Sequence, residues 1–196
     1  MNRVSSSAGA LRKPPPAAYR RAGRAARGAF PRLADFYFVH LTTPRTLRCV
    51  AAGHRAPEFA RDIRTMVGTC PIRRDDLAST AAFVVRSGKP ALRHSIYKDD
   101  DRVRRSAAAL LQRKLAPTSA LVVPMIVDDK VLGALSLCYS HSGRSHGPQH
   151  VPLAQRLAAR IVAALTAASY AASRLRSAAR HARQRTAIRH RMGTRD

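Results

Sequence analysis

The sequence predicts an α/β fold of the α+β kind, with an antiparallel sheet, helices packed on it and a long helix towards the C-terminus. Three observations carry this. The runs "LADFYFVHLTT" (33–43) and "TLRCVAAGH" (46–54) are separated only by "PR", and "SALVVPMIV" (119–127) is joined to "VLGALSLCY" (131–139) by "DDK", connections short enough only for antiparallel hairpins. Between the pairs, apolar residues recur at helical spacing, and from "PLAQRLAARIVAALTAASYAASRLRSAARHARQRT" onward that spacing runs without a break.

In the first strand Ala34, Phe36, Phe38 and His40 alternate with Asp35, Tyr37, Val39 and Leu41, and the aromatic and β-branched content favours extended chain. Gly53 ends the second. In "APEFARDIRTMVG", Pro57 suits a first helical position and Phe59, Ile63, Met66 and Val67 share a face, which predicts a short amphipathic helix. A second helix is expected with Asp75 or Asp76 as its cap, Leu77, Ala81, Val84 and Val85 along one side, and a stop at "SGKP" (87–90). A short strand, "ALRHSI" (91–96), leads to a third helix in "DDDRVRRSAAALLQRKLAP" (99–117), with acids at its positive end and Val103, Ala107, Leu110, Leu111 and Leu115 as its apolar side. Both faces of 119–127 are apolar, so this strand is expected to be central. Gly133 interrupts the next, where a glycine marks a bulge or the close approach of a backbone or ligand.

The 196 residues suit one domain with tails. Lys and Arg number 36 against 11 Asp and Glu, a formal charge of +25 that draws nucleic acid, anionic lipid or acidic protein. The excess sits at the ends: residues 1–33 contain no acid, and 174–196 contain only Asp196. Residues 1–30 share the Ser/Arg-rich, acid-free look of an organelle transit peptide, but "KPPP" and the low apolar content make a flexible basic leader the plainer reading, with a weak Ala/Arg helix over 17–30. Cys49, Cys70 and Cys138 are odd in number and far apart, without CxxC spacing, which points to a reducing, cytoplasmic setting. The most apolar stretch, 157–172, carries Arg160 and is mostly alanine, a poor membrane span.

Together "LADFYFVHL", "TLRCVAAGH", "VVRSGKPAL" and "SALVVPMIVDDKVLGALSL", ahead of a long helix, resemble the GAF domain of bacterial sensor proteins such as sensor histidine kinases, over residues 31–168. The resemblance implies a central antiparallel sheet of about six strands with helices on both faces: the terminal helices together on one, shorter helices over a ligand pocket on the other. It assigns Ser119, Pro124 and Gly133 to the fold. It also implies a non-catalytic sensory or regulatory module that binds a small molecule or relays a signal, with a histidine kinase or another signalling partner; a homodimer is expected from the pattern of the last helix. Three specialised branches of the family lose their key residues here. The Asn-Lys pair of cyclic-nucleotide binders is missing; Cys70 precedes Pro71 and Cys138 precedes Tyr139 where bilin binders have Cys-His; and the three cysteines are too dispersed for methionine sulfoxide reduction. The cofactor is left unknown.

Candidate ligand-binding residues follow from position. His54 ends the second strand, where it meets a pocket ligand or serves as a structural histidine. Phe36, Phe38 and Phe83 line a pocket or form ordinary core. Arg86 and His94 flank "SGKP" and suit an anion, although a solvated helix end explains Arg86 equally well. Cys49 and Cys138 read as small buried hydrophobes and Cys70 as the thiol to test for redox reactivity. Asp99, Asp100 and Asp101 suit helix capping better than a metal. No Ser/His/Asp or Cys/His spacing argues for an enzyme.

In the last helix Leu153, Leu157, Ile161 and Leu165 form a stripe that Ala172, Leu175 and Ala179 continue more weakly, the pattern of a dimerising, signal-carrying helix. Residues 169–196 are expected as its basic extension. His190 is followed by Arg191 rather than by the glutamate of a phospho-accepting helix, so no kinase output is expected. An alternative from another class is a nucleic-acid-binding protein whose arginine-rich termini grip phosphates on a GAF-like scaffold.

Overall fold

The computed structural model describes residues 16–28, 30–69, 71–94 and 113–192, with the side chains of the last helix as far as Ala179. The first half of the expected leader, Cys70, the Asp99–Asp101 run and most of the helix expected over 99–117 lie outside the described residues.

Six strands form one antiparallel sheet in the order β3-β2-β1-β6-β5-β4. They are β1 (Phe36–Thr42), β2 (Thr46–His54), β3 (Ile72–Arg73), β4 (Ala91–His94), β5 (Ser119–Val127) and β6 (Lys130–Tyr139). Both expected hairpins are present, β1 with β2 and β5 with β6. The long-range pairing of β1 with β6 welds them into one sheet. β5 is buried on both faces as expected but sits one strand in from the β4 edge, while β1 and β6 hold the middle. Gly133 has a double role. The β5–β6 register shifts beside it, between Met125 and Ile126. A Cβ built at Gly133 would come within 1.9 Å of the His40 carbonyl oxygen, so the residue also admits the neighbouring backbone.

One face of the sheet is covered by α1 (Pro16–Arg27) and α5 (Val151–Met192). The other carries α3 (Ala60–Thr65), entered through a 3-10 turn at Pro57–Phe59, and α4 (Thr80–Ser87); α2 (Phe30–Leu33) is a single turn leading into β1. Helix α1 falls in the segment read as leader and weak helix. Its Ala18, Ala22 and Ala26 are fully buried, because small side chains every fourth residue let it lie close against α5 and β2. Helix α4 is capped by Ser79, whose side chain accepts from the Ala82 N–H, and not by Asp75 or Asp76. Asp75 pairs with Arg73 instead, and Asp76 accepts from the Ala78 N–H. Leu77 consequently falls outside the helix and is 87% exposed.

In α5, Leu157, Ile161 and Leu165 pack inward onto Leu121, Val123, Leu135 and Leu137 of the sheet. This part of the expected dimerisation stripe is therefore protomer core. By length and composition α5 could cross a membrane, but core helices pass the same test and its apolar stripe is spent on the sheet. Its base is fixed by a buried knot. Ser119 Oγ accepts from the His146 backbone N–H at 2.9 Å and lies 3.0 Å from Nδ1, while Nε2 lies 2.9 Å from the Leu33 carbonyl oxygen. Nε2–H thus donates to Leu33 and the Ser119 hydroxyl donates to Nδ1. Burial pushes the His146 pKa down to about 4, which keeps this neutral arrangement in place. Asp35 locks the other end of the same junction. Its carboxylate accepts from the Ser140 and Ser142 N–H groups, the Ser142 hydroxyl and the Arg55 guanidinium.

Candidate ligand pocket

Strand alternation turns Tyr37, Val39 and Leu41 towards α1 and α5, and Phe36, Phe38 and His40 towards the face under α3 and α4. The register sets small residues beside the second group. Phe38 lies between Ala52 of β2 and Ser136 of β6, and His40 between Cys49 and Ala134. Ring-bearing side chains thus stand beside short ones on this face.

The rings form a chain. Phe36 lies 5.8 Å from Phe38 and 5.7 Å from His54, and His54 lies 4.8 Å from Phe59, which stacks on His141 at 5.4 Å. His40 continues the chain inward, 5.9 Å from Phe38. Ile63, Met66 and Leu115 pack over this group, and an ion pair of Lys114 with Asp62 fastens the helical turn at 113–115 to α3.

Two imidazoles bring polarity to this apolar wall. His54 Nδ1 accepts from the Ala56 N–H at 2.9 Å, which leaves its proton on Nε2. That Nε2 is buried and has no partner among the described residues. His40 is 6% exposed, and its Nδ1 is likewise buried and unpartnered. Burial pushes the His40 pKa down to about 4 and holds His54 below the ordinary histidine range, so both rings are neutral at pH 7. Cys49 and Cys138 are buried, as expected, and burial pushes the Cys138 thiol up to about 12. Such a wall has the chemistry to stack on a planar apolar body and to offer it one or two hydrogen bonds. Among the described residues, no group of three His, Cys, Asp or Glu could hold a metal ion.

Of the six residues singled out from sequence, Phe36, Phe38 and His54 meet here. Phe83 lies on the outer side of α4, 42% exposed. Arg86 donates to the carbonyl oxygens of Arg74 and Asp76 and so ties α4 to the preceding loop. His94 is exposed at the end of β4, 3.1 Å from the Ser145 hydroxyl. Sequence reasoning missed His40, Phe59 and His141 as companions of His54. The signal for His40 was present, because it alternates in phase with Phe36 and Phe38. A Ser–His pair, Ser119 with His146, exists in space; with Ser119 at 0% and His146 at 3% exposure it is a structural link.

A sheet with both terminal helices on one face and short helices over a ring-bearing surface on the other has a counterpart among known sequences: the GAF domain family matches residues 13–166. The chain belongs to the GAF domain family. Solved GAF domains share its fold. The second GAF domain of DevS from Mycobacterium smegmatis aligns at 16% identity and TM-score 0.57, covering 82% of this chain and 99% of that one. The blue-light-absorbing form of the PixJ GAF domain from Thermosynechococcus elongatus aligns at 18% and 0.57, covering 91% and 98%. The GAF domain of an Acinetobacter phosphoenolpyruvate-protein phosphotransferase aligns at 13% and 0.56, covering 80% and 87%. No curated protein sequence matches significantly. The GAF assignment places this chain with the domains of sensory and regulatory proteins.

Proposed function

We propose that this GAF domain is a non-catalytic sensor that holds a planar, largely apolar small molecule in the recess under α3 and α4. The observation that carries the reading is the pair of buried imidazole nitrogens, His40 Nδ1 and His54 Nε2, which have no partner among the described residues and lie beside a chain of aromatic rings. A buried polar atom without a hydrogen bond costs about 1–3 kcal/mol, a cost that a ligand atom bonded to it would offset. Helix α5 serves as output, since it packs on the opposite face of the same strands and runs on beyond the last buried residue, Ser169. Self-association then rests on exposed Tyr170 and Leu175, and a histidine kinase or another signalling protein is the reader.

Native mass spectrometry and absorbance of the full chain test the pocket. The wild type should retain a stoichiometric small mass that His40→Leu/His54→Leu loses while staying folded. A mass retained equally by the double variant would refute the reading, as would a wild type that carries none and is not thermally stabilised by any of a panel of planar heteroaromatics.

Nucleic-acid binding is the second reading, favoured by the composition of α5, which contains nine arginines and no carboxylate. Removing residues 174–196 should then abolish retention of duplex DNA at moderate salt.

A further inference from the structure

On the other side of the sheet, an open cleft of about 310 Å³ runs between α1 and the outer edge of β2. Its position follows from topology. Strand β3 pairs only with Thr46 and Leu47, so among the described residues no strand continues the sheet beside Val50, Ala51 and Ala52, which line the cleft together with Val67. Helix α1 lies along this edge at Gly23, where a Cβ would stand in ordinary contact with the Ala51 Cβ at 3.5 Å. The wall that α1 presents is cationic. Arg20, Arg24 and Arg27 recur at i, i+4 and i+7, all exposed and all lining the cleft, and among the described residues no carboxylate lines it with them. Arg21, one residue out of phase, does not line it.

One of the three guanidiniums has a fixed neighbour. Tyr37 is fully buried, its hydroxyl donates to the Gly23 carbonyl at 3.3 Å, and the Arg27 side chain lies against that hydroxyl. Gly53 makes room for the ring, since a Cβ there would stand 2.7 Å from Tyr37 Cε1. The cleft thus combines an apolar floor, a buried phenol and a row of forks suited to bidentate anion contacts. Along a helix rising about 1.5 Å per residue, the row spans about 10 Å, longer than one phosphate and close to a short chain of them.

We infer that this cleft binds a compound with two or three linked phosphates and an apolar or aromatic end, the phosphates along Arg20, Arg24 and Arg27 and the apolar end over Val50 and Ala51. The site lies on the opposite side of the sheet from the sensory pocket and does not depend on it. Its volume is at the lower end of small-ligand sites, which suits a molecule held along one side with its charged edge facing water.

The test is calorimetric titration of the full chain with ATP and with inorganic triphosphate at 0.15 M salt, for wild type, Arg24→Glu/Arg27→Glu and Arg21→Glu. All three arginines are exposed, so the variants should fold, and their circular dichroism and melting curves verify this. Both probes should bind the wild type, ATP at least tenfold more tightly because its base covers the floor. Both should lose at least tenfold in Arg24→Glu/Arg27→Glu and stay within twofold in Arg21→Glu. Equal losses in both variants would reduce the effect to diffuse attraction by a basic protein and overturn the site. Equal affinity for ATP and triphosphate would overturn the role of the floor, and no binding of either probe would overturn the whole proposal.

Discussion

Replacing His40 by leucine should stabilise the protein without its ligand, by an amount that grows as the pH falls. At pH 7 both the folded and the unfolded imidazole are largely neutral, so the gain is the removal of a buried nitrogen with no partner among the described residues, about 1–2 kcal/mol. The pH-dependent part follows from the pKa. In the folded chain His40 is pushed down to about 4, against 6.5 for the free side chain. Between those values the unfolded state binds a proton that the folded state refuses, so wild-type stability falls with the pH through this window. Integrating the linkage gives a loss of about 2 kcal/mol from His40 between pH 7 and pH 5, and about 3 kcal/mol by pH 4. Leucine cannot titrate. The advantage of His40→Leu should therefore rise from about 1–2 kcal/mol at pH 7 to about 3–4 kcal/mol at pH 5. Urea unfolding of both proteins at the two pH values measures it, and His146 and the carboxylates cancel because both proteins carry them. An advantage that does not change with pH would refute the reasoning, because His40 would then be protonated normally in the fold. A variant less stable than wild type at pH 7 would show that the imidazole makes a hydrogen bond.

Other perturbations test the frame around the pocket. Gly133→Ala should cost about 3 kcal/mol, read as a loss of roughly 6–12 °C in melting temperature, because the methyl must displace the His40 carbonyl and with it the β1–β6 pairing; a loss below 1 kcal/mol would mean the strands separate freely. Asp35→Ala should cost about 3 kcal/mol at pH 7 by stranding the Ser140 and Ser142 donors. The Asp35 pKa is lowered, its hydrogen bonds outweighing a desolvation that pushes the other way, so the stability it adds is present above pH 4 and lost below it; the variant's deficit in urea should shrink towards pH 3. In a Cys70→Ser background no thiol should react with a disulfide reagent at pH 8 before unfolding: Cys138 has only about one thiolate in ten thousand there and Cys49 is buried.

The sheet was legible where local chemistry repeats. Alternation in β1 separated Phe36, Phe38 and His40 from Tyr37, Val39 and Leu41, and turn residues announced both hairpins. β3 left no trace because two residues cannot show a period; it exists only through its pairing with Thr46 and Leu47. The cap of α4 was misassigned because Asp75, Asp76 and Ser79 are all good caps, and the choice was made by Arg73, which takes Asp75. Helix α1 was undervalued since alanine carries little hydrophobic weight; its burial is a matter of close approach, which a sequence pattern does not report. Leu157, Ile161 and Leu165 were legible as a stripe, but a stripe does not say whether its partner is another chain or its own sheet. The pocket was half legible. Phe36, Phe38 and His54 lie on paired strands, whereas Phe59 arrives from the turn that enters α3 and His141 from the loop after β6.

The unbroken course of α5 has a mechanical consequence. Its first half is clamped from Ala154 to Ser169 between sheet and α1, while residues 170–192 continue as one rod. At about 1.5 Å per residue the free arm is about 35 Å long. A tilt of about 5° at the clamp, within what packed helices undergo when they shear, would swing the far end by about 3 Å. The helix is a beam gripped along its first half, so a small strain in the strands would appear at its tip as a displacement the size of a side-chain contact.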